Sequence, residues 1–188
     1  MQVFELKGEL RNDLGKKASN SLRTEKKVPC VLYGGESNIH FSVEEKDLMK
    51  LLYTPIVYVV KIDLEGKAYN AVMREIQFHP VSDRVLHIDF YQIFENKPVV
   101  MEVPVKLQGF AEGVQAGGKL VLITRKLKVK ALPTNLPGEI VLDVTSLGLG
   151  KSVKVKELSF ENFEVVNAKE VVIAQVKMTR AAKSAESK

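Results

Sequence analysis

The sequence predicts a mainly β protein with short helices, arranged as two domains. Many segments alternate apolar and polar residues, which is the pattern of strands with one buried face. Turn residues such as glycine, proline and asparagine separate these segments at short intervals. With 188 residues, of which 45% are hydrophobic, the chain is long enough for two ordinary domains with their own cores.

The first third of the chain predicts three strands and two short helices. The strands are the alternating QVFELKGEL, the apolar run VPCVLYGG and the alternating NIHFSV. A short helix, ASNSLR, follows the loop that Gly15 opens. The second helix begins after Ser42-Val-Glu-Glu45, which resembles a capping box, and its apolar stripe is Leu48, Leu51 and Leu52.

Two further strands form a hairpin, and a third follows it. IVYVVKIDLEGKAYNAVMREIQF predicts two strands joined by a turn at Glu65-Gly66-Lys67. RVLHIDFYQI, residues 84–93, alternates Leu86, Ile88 and Phe90 with polar residues. Because alternate side chains of a strand point to opposite faces, these three are predicted to face a core. The other face carries His87, Asp89 and Tyr91 in a row.

Composition changes after Ile93, where FENKP forms a polar joint. We therefore predict a first domain over residues 1–94 and a second over 95–178. The second is predicted to be all β, with strands in VVMEVPVKL, KLVLITRKLKVKAL, GEIVLDV, KSVKVKEL and EVVIAQVKM. The segment EGVQAGG is predicted to be a turn. Residues 179–188, TRAAKSAESK, are small, polar and charged, which predicts a disordered tail.

The net charge of +5 is carried by the second half of the chain. Residues 1–94 hold 13 basic and 13 acidic side chains, and residues 95–188 hold 15 and 10. Within the first half, residues 16–27 hold five basic side chains against Glu25 alone. Such a patch is typical of a polyanionic partner, and it is also typical of a solvated loop beside a helix.

Several classes of protein are not indicated. The lone cysteine, Cys30, cannot form an internal disulfide, and its apolar neighbours indicate a small core residue. The N-terminus has no basic and apolar leader, and no stretch approaches the ~18 apolar residues of a membrane span. We expect a soluble, cytoplasmic protein with no membrane contact, no cofactor and no metal.

The polar row of residues 87, 89 and 91 has four interpretations. Catalysis would need a nucleophile such as Cys30 or Ser42, but no G-x-S-x-G segment occurs. A metal could recruit His79, but no HExxH or CxxC spacing supports it. A solvated strand face needs no function. Nucleic-acid recognition would use the same side chains as donors and acceptors, with nearby Lys and Arg on phosphates.

Taken together, several segments resemble a known family. RNDLGKKASNSLR, VPCVLYGG, REIQFHPVSDRVLHIDF and the β-rich second half, in this order, resemble the bacterial large-subunit ribosomal protein L25. The resemblance extends over the whole chain and is closest to the long, two-domain form, the general stress protein Ctc type. Its most specific signature is QFHPVSDRVLHIDF, residues 77–90.

The resemblance implies a fold and a function. The first domain is expected to be a closed six-stranded β-barrel that binds 5S rRNA at loop E, from the minor-groove side. The protein is then a structural component of the large ribosomal subunit beside other ribosomal proteins, a monomer off the ribosome, and not an enzyme. The residues that the family pattern assigns to the RNA contact are Arg11, Lys16, Lys17, Ser19, Arg23, Tyr33, Gln77, His79, His87 and Asp89.

One segment departs from the family pattern. Many members have Ser-Arg-Arg-Leu-Arg where this chain has Ser19-Asn20-Ser21-Leu22-Arg23, so two arginines are replaced by Asn20 and Ser21. Each lost phosphate contact reduces the salt dependence of binding by about 0.7 to 0.9 log units per log of salt. We therefore expect weaker or less salt-sensitive binding than in arginine-rich members.

A different class of function remains open for the second domain. The protein could be a stress-associated ribosome-binding protein whose second domain contacts another protein or RNA. Lys126, Lys128 and Lys130 are predicted to project from one face of a strand and could make such contacts. Lysines also protect exposed sheet edges, so the same pattern fits a face with no partner.

Overall fold

The computed structural model describes residues 2–54, 56–160 and 162–179, and its mainly β architecture confirms the predicted fold class. The chain divides into two compact units between Lys97 and Pro98, and the first domain was predicted to end at residue 94. Of the predicted disordered tail, residues 180–188 lie outside the described residues. Thr179 is described, and its hydroxyl donates a hydrogen bond to the carbonyl of Gly117 at 2.6 Å.

The first unit is a closed barrel of six strands with the order β1-β3-β2-β6-β5-β4, as the resemblance implied. Strands β1 and β4 close the barrel by parallel pairing, and β6 lies between β2 and β5. Its elements are β1 (Gln2–Leu10), α1 (Lys16–Thr24), β2 (Lys27–Tyr33), β3 (Ile39–Glu44), α2 (Glu45–Leu52), β4 (Tyr58–Leu64), β5 (Lys67–Phe78) and β6 (Val85–Gln92).

Alternate residues of these strands fill the barrel, and a glycine permits its tightest packing. Leu6, Phe41 and Phe90 are each 1% exposed or less. A Cβ atom on Gly8 would lie 2.7 Å from the Phe41 ring and 2.8 Å from Leu64. Because both neighbours are core side chains, β1 can approach them only through a residue without a side chain.

The predicted capping box before α2 is wrong. Ser42 is a buried residue inside β3, where it pairs with Glu9 of β1 and Pro29 of β2. The helix begins at Glu45, and Glu44, at its N-cap, makes no side-chain hydrogen bond. Strand β3 ends at Glu44, directly before the helix, so Ser42 pairs within the sheet and does not cap the helix. Leu48 and Leu51 are buried as the helical stripe predicted.

The alternation predicted for β6 is interrupted near its start. His87 pairs with Gln77 and Val85 pairs with Phe78, so Leu86 has no partner on β5 and forms a β-bulge. The bulge turns Val85 into the core, with Ile88 and Phe90, and removes Leu86 from it. The prediction that Leu86 faces the core is therefore wrong, because one extra residue shifts the alternation.

The second unit contains two open sheets. Four strands form a sheet with the order β10-β7-β9-β12, and three form another with the order β11-β13-β8. Its elements are β7 (Val99–Gln108), α3 (Glu112–Gln115), β8 (Lys119–Leu122), β9 (Lys126–Ala131), β10 (Ile140–Asp143), β11 (Ser152–Lys154), β12 (Glu164–Val165) and β13 (Val172–Lys177), with 3₁₀ turns at Pro133–Asn135 and Val155–Glu157.

Two local predictions for this unit are wrong. KLVLITRKLKVKAL is two strands, β8 and β9, which belong to different sheets. The segment EGVQAGG contains the short helix α3 rather than a turn alone. In both cases the local pattern is ambiguous, because a short polar break and a one-turn helix leave little periodicity to detect. No helix within the described ranges is long and apolar enough to cross a membrane.

Candidate nucleic-acid interface

Two of the predicted site residues form a close pair on the outer face of β6. His87 Nδ1 lies 2.8 Å from Asp89 Oδ1, and the two side chains are 28% and 31% exposed. The intervening Ile88 is fully buried, so β6 separates the pair from the core. When Nδ1–H donates to the carboxylate, the ring is fixed, and His87 Nε2 and Asp89 Oδ2 are left for a partner.

Gln77 extends this polar row onto the next strand. It lies directly opposite His87 in the antiparallel pairing of β5 with β6, and it is exposed. Side chains at opposite positions of such a pair have Cβ atoms about 5 Å apart. The structure therefore places Gln77 on the same outer face as His87 and Asp89.

Tyr33 lies at the end of β2, where a second aromatic ring fixes it. It pairs in register with Tyr91 of β6, and the two rings meet edge to face with centroids 5.5 Å apart. The Arg74 guanidinium lies 5.7 Å from the centroid of the Tyr91 ring. Gly34 has φ +95°, and a Cβ there would lie 2.6 Å from this ring. The glycine thus makes room for Tyr91, and Tyr91 supports Tyr33.

Arg11 connects the end of β1 with α1. Its Nη2 donates to the carbonyl of Asp13 and to Ser19 Oγ, both at 3.3 Å. Its Nε is buried and has no hydrogen-bond partner among the described residues. The structure brings the predicted residues Arg11 and Ser19 into direct contact.

The N-terminal end of α1 is strongly positive. Lys16 and Lys17 occupy its first turn, which contains no acidic residue, and Gly15 supplies no side-chain cap. The free N–H groups and the helix dipole already place positive charge at this end. Both lysines are exposed and neither forms an ion pair with a described residue. This arrangement disfavours the helix slightly and suits a phosphate group.

Arg23, near the other end of α1, uses its guanidinium inside the protein. Nε and Nη2 donate to the carbonyl of Leu86 at 3.2 and 3.1 Å, and Nη1 donates to Asn20 Oδ1 at 3.1 Å. In return, Arg84 Nη2 donates to the Arg23 carbonyl at 3.0 Å. Arg84 also lies 3.5 Å from Glu45 Oε2. Arg84 is not among the residues predicted for the site, and its place in the signature segment was its only signal in the sequence.

His79 belongs to a cleft beside α1. Its Nδ1 accepts hydrogen bonds from the N–H groups of Val81 and Ser82, both at 3.3 Å, which leaves Nε2 as the free nitrogen. With Asn20, Arg23 and Arg84, it lines a cleft of about 300 Å³. In the ranges that the structure describes, no three His, Cys, Asp or Glu side chains are placed to hold a metal ion.

The two nucleophiles considered for catalysis are both inaccessible. Cys30 is fully buried and Ser42 is 3% exposed. Burial raises the pKa of the Cys30 thiol, so the neutral form is favoured. The prediction that Cys30 is a core residue is confirmed, and neither side chain can reach a substrate at the polar row.

The lysines of β9 project outward as predicted. Lys126, Lys128 and Lys130 are exposed, and the alternating Leu127 and Val129 are fully buried. This strand is not an edge, because β7 pairs with it on one side and β12 on the other.

Both units match family models. Residues 6–90 match the Ribosomal L25p family, and residues 98–180 match the C-terminal domain of ribosomal protein TL5. The latter range includes positions 161 and 180, which lie outside the described residues.

Related proteins match the chain over its full length. The large ribosomal subunit protein bL25 of Phocaeicola vulgatus is 57% identical over 192 residues, covering 98% of this chain and 97% of that protein. The protein of the same name from Azobacteroides pseudotrichonymphae is 52% identical over the whole of both chains. That from Porphyromonas gingivalis is 50% identical over all of this chain and 99% of its own. These relatives are named as ribosomal proteins and not as enzymes, and the chain belongs to the bL25 family of large ribosomal subunit proteins.

Proposed function

We propose that the first unit of this chain binds 5S rRNA in the large ribosomal subunit, at loop E and from the minor-groove side. The observation that carries the proposal is the His87–Asp89 pair, held at 2.8 Å on the outer face of β6. Family membership supports the ribosomal location, and the chemistry of this pair supports RNA as the partner.

The fixed pair presents acceptors to its partner. In the tautomer whose Nδ1–H points to Asp89, both His87 Nε2 and Asp89 Oδ2 can accept hydrogen bonds. The minor groove of an RNA helix displays donors of the matching kind, which are 2′-hydroxyls and the guanine amino group. A carboxylate repels phosphate, so Asp89 favours contact with these groups over contact with the backbone.

We assign phosphate contacts to the basic residues of the first unit that the resemblance implies. The uncapped end of α1 with Lys16 and Lys17 carries positive charge that no described carboxylate neutralises. Ser19 belongs to the same helix, and Arg11 Nη2 donates to its hydroxyl. Of the other residues that the resemblance implies, we include Tyr33, Gln77 and His79 in the same interface, whereas the guanidinium of Arg23 is occupied by contacts within the barrel.

The test is a gel-shift titration of 5S rRNA with the full chain, residues 1–97 and residues 98–188. The first unit has a hydrophobic core of its own, so it is expected to fold alone. Full chain and first unit should bind with similar affinity. A 5S rRNA whose loop E is replaced by a regular helix of equal length is the control and should bind more weakly. Retardation by residues 98–188 alone would overturn the proposal.

Ribosome sedimentation tests the cellular role. Large subunits isolated from growing cells at moderate salt should contain the chain in stoichiometric amounts. Substoichiometric presence that rises under stress would instead support a conditional ribosome-binding protein.

A further inference from the structure

The guanidinium of Arg23 is occupied by contacts within the barrel. All three of its nitrogens donate, two to the carbonyl of Leu86 and one to Asn20 Oδ1. A guanidinium has five N–H groups in a fixed plane, so these contacts orient it toward β6. Few donors are left to form the bidentate contact that a phosphate would take.

The acceptor of these hydrogen bonds lies at the irregular point of β6. Leu86 is the extra residue of the bulge and has no partner on β5. Bulges re-aim the side chains that follow them. His87 is the next residue, and the bulge places it on the outer face with Asp89. Arg23 therefore binds the backbone directly before the proposed RNA contact.

A second arginine completes the link in the opposite direction. Arg84, which precedes β6, donates to the carbonyl of Arg23 at 3.0 Å. Its contact with Glu45, at 3.5 Å, connects the same point to the start of α2. Each arginine thus binds the backbone of the other's segment, and α1 is joined to the start of β6 at two points.

We propose that Arg23 and Arg84 are positioning residues for RNA recognition. They hold the bulge of β6 in the form that presents His87 and Asp89, and Arg23 contributes to affinity through His87 rather than through a phosphate. This inference rests on the proposed function, because its effect is on RNA affinity.

Direct contact and positioning have different signatures. A side chain that binds a phosphate adds about 0.7 to 0.9 to the slope of log affinity against log salt. Removing such a side chain also weakens affinity by the same factor whether or not His87 is present. A residue that acts through His87 leaves the slope nearly unchanged, and its effect disappears when His87 is already absent.

The experiment measures 5S rRNA affinity of the full chain against salt for Arg23→Gln, Arg84→Gln and each change combined with His87→Ala. We expect each single arginine variant to bind about tenfold more weakly. The slope should be unchanged, and little further loss should appear in the His87→Ala background. Lys17→Gln is the matched control: it should reduce the slope and add to the effect of His87→Ala.

A second readout follows the ring of His87 directly. The chain has three histidines, so their ring signals can be assigned by NMR. Arg23→Gln and Arg84→Gln should shift the His87 signal in the free protein, whereas Lys17→Gln should not. Circular dichroism identifies a variant that fails to fold, and the other arginine variant then decides the question.

A reduced salt slope for Arg23→Gln, with an effect additive to that of His87→Ala, would overturn the proposal in favour of direct phosphate contact. An unmoved His87 signal in both arginine variants would also overturn it. If the unmodified chain did not bind 5S rRNA, the proposed function would fail, and the NMR comparison would still decide whether the arginines position His87.

Discussion

Strands β6 and β9 differ in how well an alternating sequence pattern predicts which of their residues are buried. In β9 the alternation is unbroken, with three exposed lysines and three buried apolar residues. In β6 the same kind of pattern is interrupted by the bulge at Leu86, which exchanges the expected core residue for Val85. The period of two predicts burial only while pairing is continuous, and the interruption lies beside the proposed RNA contact.

The two units also differ in how their sheets end. The barrel closes on itself through β1 and β4, so it has no sheet edge. The second unit leaves its sheets open and ends the larger one in β10 and β12, of four and two residues. Short edge strands limit pairing with other chains. Barrel closure in the first unit and short edge strands in the second both limit strand pairing with other chains.

The largest expected effect separates the two faces of β6. Phe90 is fully buried and its ring lies 5.8 Å from that of Phe41, so Phe90→Ala should destabilise the barrel by about 3–5 kcal/mol. Urea unfolding of the barrel measures this change. The matched variant in β9, Leu127→Ala, should leave the barrel transition unmoved, and a loss below about 1 kcal/mol for Phe90→Ala would contradict the assigned core.

On the outer face of the same strand, substitutions should act on binding instead. His87→Ala and Asp89→Ala should each weaken 5S rRNA binding by about 1–3 kcal/mol, because partners in the groove lose their hydrogen bonds. Thermal melting should change little, since neither side chain fills the core. Lys128→Ala, on the exposed face of β9, is the control and should alter neither quantity. A lower melting temperature with unchanged affinity would mark the pair as structural.

The buried thiol of Cys30 should make the stability of the barrel depend on pH. Burial raises the pKa of this thiol above its ordinary value of 9.0, so at higher pH the unfolded chain releases a proton that the folded barrel keeps. The buried neutral thiol contributes to the free energy of unfolding. This contribution is fully present below the ordinary pKa of the thiol and is lost as pH rises above it, by up to about 1.4 kcal/mol per pH unit. Urea unfolding between pH 8 and 10, roughly the range of thiol titration, measures it. Cys30→Ala should lack this part of the slope, and equal slopes would contradict the assignment.

The smallest change in stability is expected at Asn20 and Ser21. Both are exposed, so arginine at these positions should change stability by no more than about 0.5 kcal/mol. Each new phosphate contact should steepen the salt dependence of 5S rRNA binding by about 0.7 to 0.9. Ser21→Arg alone is the cleaner variant, because Asn20 accepts a hydrogen bond from Arg23. An unchanged slope for the double variant would place these positions away from the RNA.

Most strands of the barrel could be predicted from the sequence because their alternation and turns are local properties. The bulge could not, because it depends on which residues of β5 oppose β6. The same applies to Ser42, whose capping-box pattern is locally valid but is overridden by pairing with two strands.

The candidate site divides in the same way. His87, Asp89 and Gln77 could be selected from the polar face of a strand and the family resemblance. The contacts of Tyr91, Arg74 and Arg84 join segments that are distant in sequence. Arg84 meets Arg23 across 61 positions, and no spacing rule joins them. The contacts between distant segments could therefore not be predicted from the sequence.

The order of strands in the barrel has a consequence for protein synthesis. β6 is the last of the six strands to be made, yet it is inserted between β2 and β5, and it carries His87 and Asp89. A nascent chain that stops before residue 92 lacks the strand that completes both neighbours. Under the proposed function, a chain can therefore bind 5S rRNA only after the whole barrel has been synthesised.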